Sequence, residues 1–465
     1  MRPCAAITRR AFLGQTLASI ITLPAWAEPS PESGVLTLEA REGRLRLLPE
    51  PAPLTPVWGY NGAVPGPVLR IKKGQEVKVR LVNRLDQPTS LTWHGVRITN
   101  SMDGMAGLTQ EPVEPGGALE YRFTPPDSGF YWYHPGVLPF FSEQLGRGLF
   151  GALIVEEPEP PMASRDLLVI LSDWTLENGG QIAGFNLAAD GMGAGRTGPL
   201  VCVNAQAAPA AHTLPPSSRL RLRILNAASA RFMVMSFGGM TPVILALDGQ
   251  PCESFVPARH MIPLAPGARA DVMVGLPAGD GAEASLTLMG ANEPDRALIV
   301  FKTAGDTGPA LPPAGSLPLN PLLPNVIKLE ASHRANIVIE ANTPRVSEKD
   351  AKGSGGPPLF WKINGVALPG FPPAPLFSIK RGTPVTLRFV NRTPFVQQMH
   401  VHGHVLRLLH DLDDGWEPYW RDGVLIPEGK TKHAAFVADN PGKWAIVSGM
   451  AARQATGLAA WFLVT

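Results

Sequence analysis

The chain has 465 residues, with Lys+Arg 41 against Asp+Glu 39 and a formal net charge of +2. Its length suits about three domains, and its balanced charge excludes the strongly basic footprint of a nucleic-acid binder. Gly 48 and Pro 49, beside a hydrophobic share of 45%, predict a turn-rich β protein that can still build cores.

Residues 1–27 read as an export signal. Thr8-Arg9-Arg10-Ala11-Phe12-Leu13-Gly14 is a twin-arginine motif, followed by the apolar run Leu17 to Leu23 and the small-residue site Ala25-Trp26-Ala27, so cleavage after Ala27 and a periplasmic address are expected. The apolar run is shorter than the ~20 residues a spanning helix needs, and no transmembrane segment is expected in the mature chain.

Three strand-like segments end in asparagine: Val79-Arg80-Leu81-Val82-Asn83, Leu222-Arg223-Ile224-Leu225-Asn226 and Leu387-Arg388-Phe389-Val390-Asn391. Upstream of each stands a second echo, Tyr60-Asn61-Gly62, Val203-Asn204 and Ile363-Asn364-Gly365. Alternation such as Val77, Val79, Leu81 against Glu76, Lys78, Arg80 has the period of a strand. An internal repeat of this kind predicts an all-β chain of three related sandwiches, at 28–157, 164–303 and 325–465. The Glu/Pro run Glu156 to Ala163 and the Pro/Gly-rich stretch 304–324 read as exposed linkers. Short helices are predicted only near Ser142 to Leu145 and Met450 to Ala455.

The mature chain keeps two cysteines, Cys202 and Cys252. An oxidising compartment permits a disulfide, and two separately buried thiols fit the sequence equally well.

Five of the ten histidines stand in distinctive contexts: Thr92-Trp93-His94-Gly95, Trp132-Tyr133-His134-Pro135-Gly136 and His400-Val401-His402-Gly403-His404. Residues i and i+2 of a strand share a face, so His400 and His402 present two imidazoles side by side, an arrangement transition metals accept. His212, His260, His333, His410 and His433 are scattered and read as solvated or structural.

The motifs Trp58-Gly59-Tyr60-Asn61-Gly62, Pro65-Gly66-Pro67, Met102-Asp103-Gly104, Phe130 to His134 and Gly148-Leu149-Phe150-Gly151 resemble the first domain of a bacterial multicopper oxidase. Leu264 to Val272 is similar to that family's second domain, and Asn440-Pro441-Gly442-Lys443-Trp444 to its third. The resemblance implies three tandem cupredoxin-like Greek-key sandwiches. It also implies four His-rich motifs that hold a mononuclear copper for electron entry and a trinuclear cluster that reduces dioxygen.

Set on those motifs, Thr92 and Gly136 stand where the family has histidines, while His94 and His134 match. His400 and His402 match in the third motif, with Gln397 in place of the mononuclear-copper histidine. In the fourth motif the family's His-Cys-His, histidine and axial Met fall on Val447-Ser448-Gly449, Arg453 and Leu458. A blue-copper site depends on a thiolate, and Ser448 offers only a hydroxyl. Asp103 matches an acid that handles protons near the cluster, and Ala452 stands in place of the second.

Three functions are open on this sequence. One is a binding or structural protein with an unidentified periplasmic partner. Another is a single copper or zinc held by His94, His134, His400 and His402, with the full four-copper set not expected. The last is a copper-binding oxidoreductase with residual activity. His404 belongs to the third motif without being a ligand in the family.

Overall fold

A computed structural model describes residues 34–308, 310–312, 315–342, 358–410 and 415–465. The export motif and its cleavage site lie outside these residues. The described chain folds into six sheets of four to seven strands. Strands from Leu36 to Glu156 form two four-stranded sheets. Those from Arg165 to Thr303 form sheets of seven and five, and those from His333 to Val464 form two of five.

The repeat seen in the sequence is a repeat in structure. Leu36–Ala40 runs parallel to Val79–Asn83, Arg165–Leu171 to Leu220–Asn226, and His333–Ile339 to Val385–Asn391. The terminal asparagines Asn83, Asn226 and Asn391 are buried and make the same bonds. Each Oδ1 accepts the amide two residues on, from Leu85, Ala228 and Thr393. Each Nδ2 donates to carbonyls of a facing loop, Val113, Leu264 and Ile426 among them. Asn61, Asn204 and Asn364 have positive φ, a conformation asparagine tolerates better than most residues. Each clamps the preceding strand, taking the amide of Glu39, Ile170 or Val338. The side chains thus satisfy backbone groups at corners where the ladder ends.

Apolar side chains of the first and third sandwiches form one continuous core, from Leu38 and Trp93 to Met399, Trp444 and Phe462, whereas the second has its own, around Leu222, Met235 and Val272. A polar knot ties the three together. Arg97 grips Asp127 with two bonds of 2.8 and 2.9 Å and reaches Asp439 at 3.0 Å. Gln250 and Asn320, the latter in the 304–324 stretch, donate to the same Asp127 carboxylate.

Helices are short: Phe141–Gly146, Leu187–Gly191 and Ala451–Ala455. The first and third fall where the sequence predicts them; the second was not foreseen. Its start is capped by Asn186, whose Oδ1 accepts the Ala188 amide at 2.9 Å. Cys202 and Cys252 are free and buried. They lie on the second and last strands of the seven-stranded sheet, about five strand spacings or roughly 24 Å apart, far beyond disulfide reach.

Candidate metal centre

The strand Thr92–His94 pairs antiparallel with Gly129–His134, setting Thr92 opposite His134 and His94 opposite Trp132. In the third sandwich His400 lies on Gln397–Val401, between Gly423 on one side and Val447 on the other. These elements bring the four histidines together across the boundary of the two sandwiches. The rings of His94 and His400 stack at 3.7 Å and 14°. His94 Nδ1 is 3.1 Å from His134 Nε2, and the His400 and His402 rings are 4.7 Å apart. All four are buried.

Hydrogen bonds fix which nitrogen of each ring carries the proton. His134 donates from Nδ1 to the carbonyl of Pro135 at 2.7 Å, so its Nε2 is an acceptor. It can only receive the proton on His94 Nδ1, which leaves His94 Nε2 bare. His400 donates from Nδ1 to the carbonyl of Asp422 at 2.9 Å, and His402 from Nδ1 to Asp103 Oδ1 at 3.0 Å. His94 Nε2 and His400 Nε2 are buried and have no hydrogen-bond partner among the described residues. Buried polar atoms left in that state are uncommon and ask for an explanation.

Asp422 joins this group. Its Oδ1 is 3.9 Å from His94 Nε2 and 3.5 Å from His400 Nδ1; one ligand atom from each of His94, His400 and Asp422 lies within 4.8 Å of the other two. Its Oδ2 receives Arg269 Nη2 at 2.6 Å. Arg269, from the second sandwich, also donates to the carbonyls of Asp248 and Gly267. Gly95 makes room for this pair. With φ +84°, a Cβ there would meet Arg269 Nη2 at 2.1 Å and Asp422 Oδ2 at 2.4 Å. All three domains therefore meet at one ion pair.

Burial, then the neighbouring His400 and Arg269, push the His94 ring well below its ordinary value. Burial brings His134 down to about 3, against the opposing bond to Pro135, and lowers His400 although Asp422 acts the other way. Burial alone would raise Asp422, but Arg269 and His400 outweigh it and hold the carboxylate at about 2. At neutral pH His94, His134 and His400 are thus neutral imidazoles beside an ionised carboxylate, the forms in which both bind a cation.

The residues that the resemblance sets around a mononuclear copper gather at the start of the same strand, where Gln397 opens Gln397–Val401 and Ser448 pairs with Met399. Arg453 is fully buried and donates from Nη1 to Gln397 Oε1 at 2.5 Å and to the Val396 carbonyl at 2.9 Å. Its Nη2 reaches the carbonyl of Gly193, and its guanidinium lies 4.6 Å from the Trp361 ring centroid. No described carboxylate lies within 4.0 Å of it, and burial lowers it to about 10. Ser448 Oγ accepts the Met450 amide. Nearby, a Cβ on Gly449 would fall 1.5 Å from Gln398 Oε1, and one on Gly136 would fall 2.1 Å from Thr92 Oγ1.

Sequence reasoning named His94, His134, His400 and His402 and missed Asp422 and Arg269. Nothing around Asp422 in Trp420-Arg421-Asp422-Gly423 marks it as facing a histidine. Arg269 stood within a motif read only for its family likeness. His404 turns away, donating to the His402 carbonyl and packing edge-on against Trp444.

Models of the multicopper oxidase family match residues 45–160 and 325–465. The chain is 30% identical over 504 residues to Multicopper oxidase MmcO of Mycobacterium tuberculosis, covering 96% of each protein. Among solved structures, a multi-copper oxidase from Pseudomonas Thermotolerans superposes with a TM-score of 0.79 at 29% identity, covering 93% of this chain and 99% of that one. Lac15 from a marine microbial metagenome gives 0.74 at 30% identity, covering 92% and 99%. With matched domains at both ends of the described chain and a relative aligned along nearly its whole length, this protein belongs to the multicopper oxidase family.

Proposed function

We propose that this chain keeps the family's scaffold without its blue-copper oxidase chemistry. On this reading it works in the periplasm, after twin-arginine export, as a binding or structural protein with one retained metal. The observation that carries the reading is the contact of Arg453 with Gln397. A guanidinium charged at neutral pH, sealed by Val396, Gly193 and Trp361, stands among the residues set on the mononuclear site. A cation held there is repelled, and Ser448, Gln397 and Leu458 supply no thiolate or imidazole. The residues therefore do not fit that copper, and no electron-entry step follows from them.

The histidine cluster does fit a metal. It is buried and carries two bare imidazole nitrogens, on His94 and His400, with His134 and His402 beside them. A bound copper or zinc would supply a Lewis acid or a structural clamp between domains. Asp103, matched to the family's proton-handling acid and bonded to His402, favours the oxidoreductase alternative, as does the likeness to Multicopper oxidase MmcO.

Metal analysis of protein purified from the periplasm tests the reading. About one Cu or Zn per chain, with no blue chromophore, supports it. Three or four coppers per chain would sink it.

A further inference from the structure

We infer that the chain pairs with a second copy of itself, through the face where its two linkers meet. The stretch read as an exposed linker, 304–324, is anchored rather than loose. Leu317 is buried in one cluster with Ala246 and Met273, and Leu323 in another with Val405 and Trp420. Between them Asn320 donates from Nδ2 to Asp127 Oδ1 at 2.7 Å and to Gln250 Oε1 at 2.9 Å, while its own Oδ1 accepts the Leu322 amide at 3.0 Å. Pro318 and Pro321 restrict the backbone further. On this fixed frame Leu319 and Leu322 face solvent, 61% and 54% exposed.

A single exposed leucine needs no explanation. Here Leu319 also lines a cleft of about 400 Å³ with Ala246, Pro251 and Leu317, and the 156–163 linker adds Pro158 to its wall. Exposed apolar surface with a polar rim marks a docking site. The rim identifies the occupant. Lys73 and Glu159 line the same cleft, both are exposed, and neither forms an ion pair among the described residues. A wholly acidic or wholly basic partner would satisfy one and repel the other. A second copy, related by a two-fold axis, brings its Glu159 to Lys73 and its Lys73 to Glu159, so that both are paired at once. The apolar parts are self-complementary as well. Leu322 is a knob three residues along the chain from the socket that Leu319 lines, and in a two-fold contact each copy's knob meets the other's socket. The preset backbone lowers the ordering cost of such a contact.

Sedimentation equilibrium of the exported wild-type protein tests this. At about 100 µM, where even a contact of modest size is populated, the mass should be that of two chains. Leu322→Glu, on a side chain exposed enough to spare the fold, should weaken association by roughly tenfold or more. Lys73→Glu and Glu159→Lys should each be monomeric alone, and an equimolar mixture of the two should restore the dimer, because the mixed pair again sets opposite charges together. A single-chain mass for the wild type overturns the inference, as does a dimer that all three variants leave intact. A mixture that stays monomeric overturns the pairing of Lys73 with Glu159 across the axis. A wild-type monomer that sediments with phosphatidylcholine vesicles would assign the face to a membrane surface instead.

Discussion

Arg453 and Gln397 are hydrogen-bonded side chain to side chain, Nη1 to Oε1, beneath the ring of Trp361. This pair decides how much of the family's chemistry one substitution could restore. Returning a thiol by Ser448→Cys should leave the copper-loaded protein without the intense thiolate-to-copper band, because the guanidinium still stands among the ligand positions. A blue band in that single variant would show that Arg453 does not exclude the metal. The triple variant Ser448→Cys, Gln397→His, Arg453→His is the comparison expected to gain colour.

Acid should destabilise the metal-free protein through its buried histidines. His134 titrates at about 3 when folded and near 6.5 when unfolded. Between those values the unfolded chain binds more protons, so stability rises with pH and falls on acidification. The loss begins as pH drops below about 6.5 and continues toward 3, at up to ~1.4 kcal/mol per pH unit for each such histidine. Urea melts at several pH values would show the slope, and His134→Gln should flatten it. An unchanged slope in the variant would assign the acid sensitivity elsewhere.

Gly95→Ala should disrupt the three-domain junction. The residue has φ +84°, and its Cβ would overlap the Arg269–Asp422 pair, so a loss of about 2–4 kcal/mol in unfolding free energy is expected. Thermal and denaturant melts measure it. A neutral result would mean that this ion pair is not needed to hold the domains.

Much of the fold was legible because the repeat carries its own physics. Asn83, Asn226 and Asn391 stood out in the sequence as strand ends, and each proves to close a corner with bonds of the same pattern. Replacing Asn391 by Ala should strand the carbonyls of Phe395 and Ile426 and the amide of Thr393, lowering stability by about 2–3 kcal/mol. A loss below about 0.5 kcal/mol would reduce the repeat to a sequence coincidence. The histidines were legible for a similar reason, since strand spacing put His400 and His402 on one face. Asp422 and Arg269 were not, because they meet through domain packing, 153 positions apart in the chain. The helix Leu187–Gly191 was hidden as well. It spans barely more than one turn and is fixed by tertiary contacts, such as Trp361 Nε1 donating to the Gly191 carbonyl, not by an amphipathic pattern.

Export is testable by itself. Arg9→Lys with Arg10→Lys should leave precursor in the cytoplasm, because the paired arginines are read by a receptor for which lysine is not equivalent. Normal periplasmic accumulation of that variant would refute the twin-arginine reading.

The central claim is that electron entry is closed, and oxygen uptake during oxidation of a phenol or Cu(I) tests it most directly. Wild-type protein, purified after export and loaded with excess copper, should show no blue band and no oxygen consumption above that of free copper in the same buffer. Sustained, substrate-coupled oxygen consumption by this unmodified sequence would contradict the account.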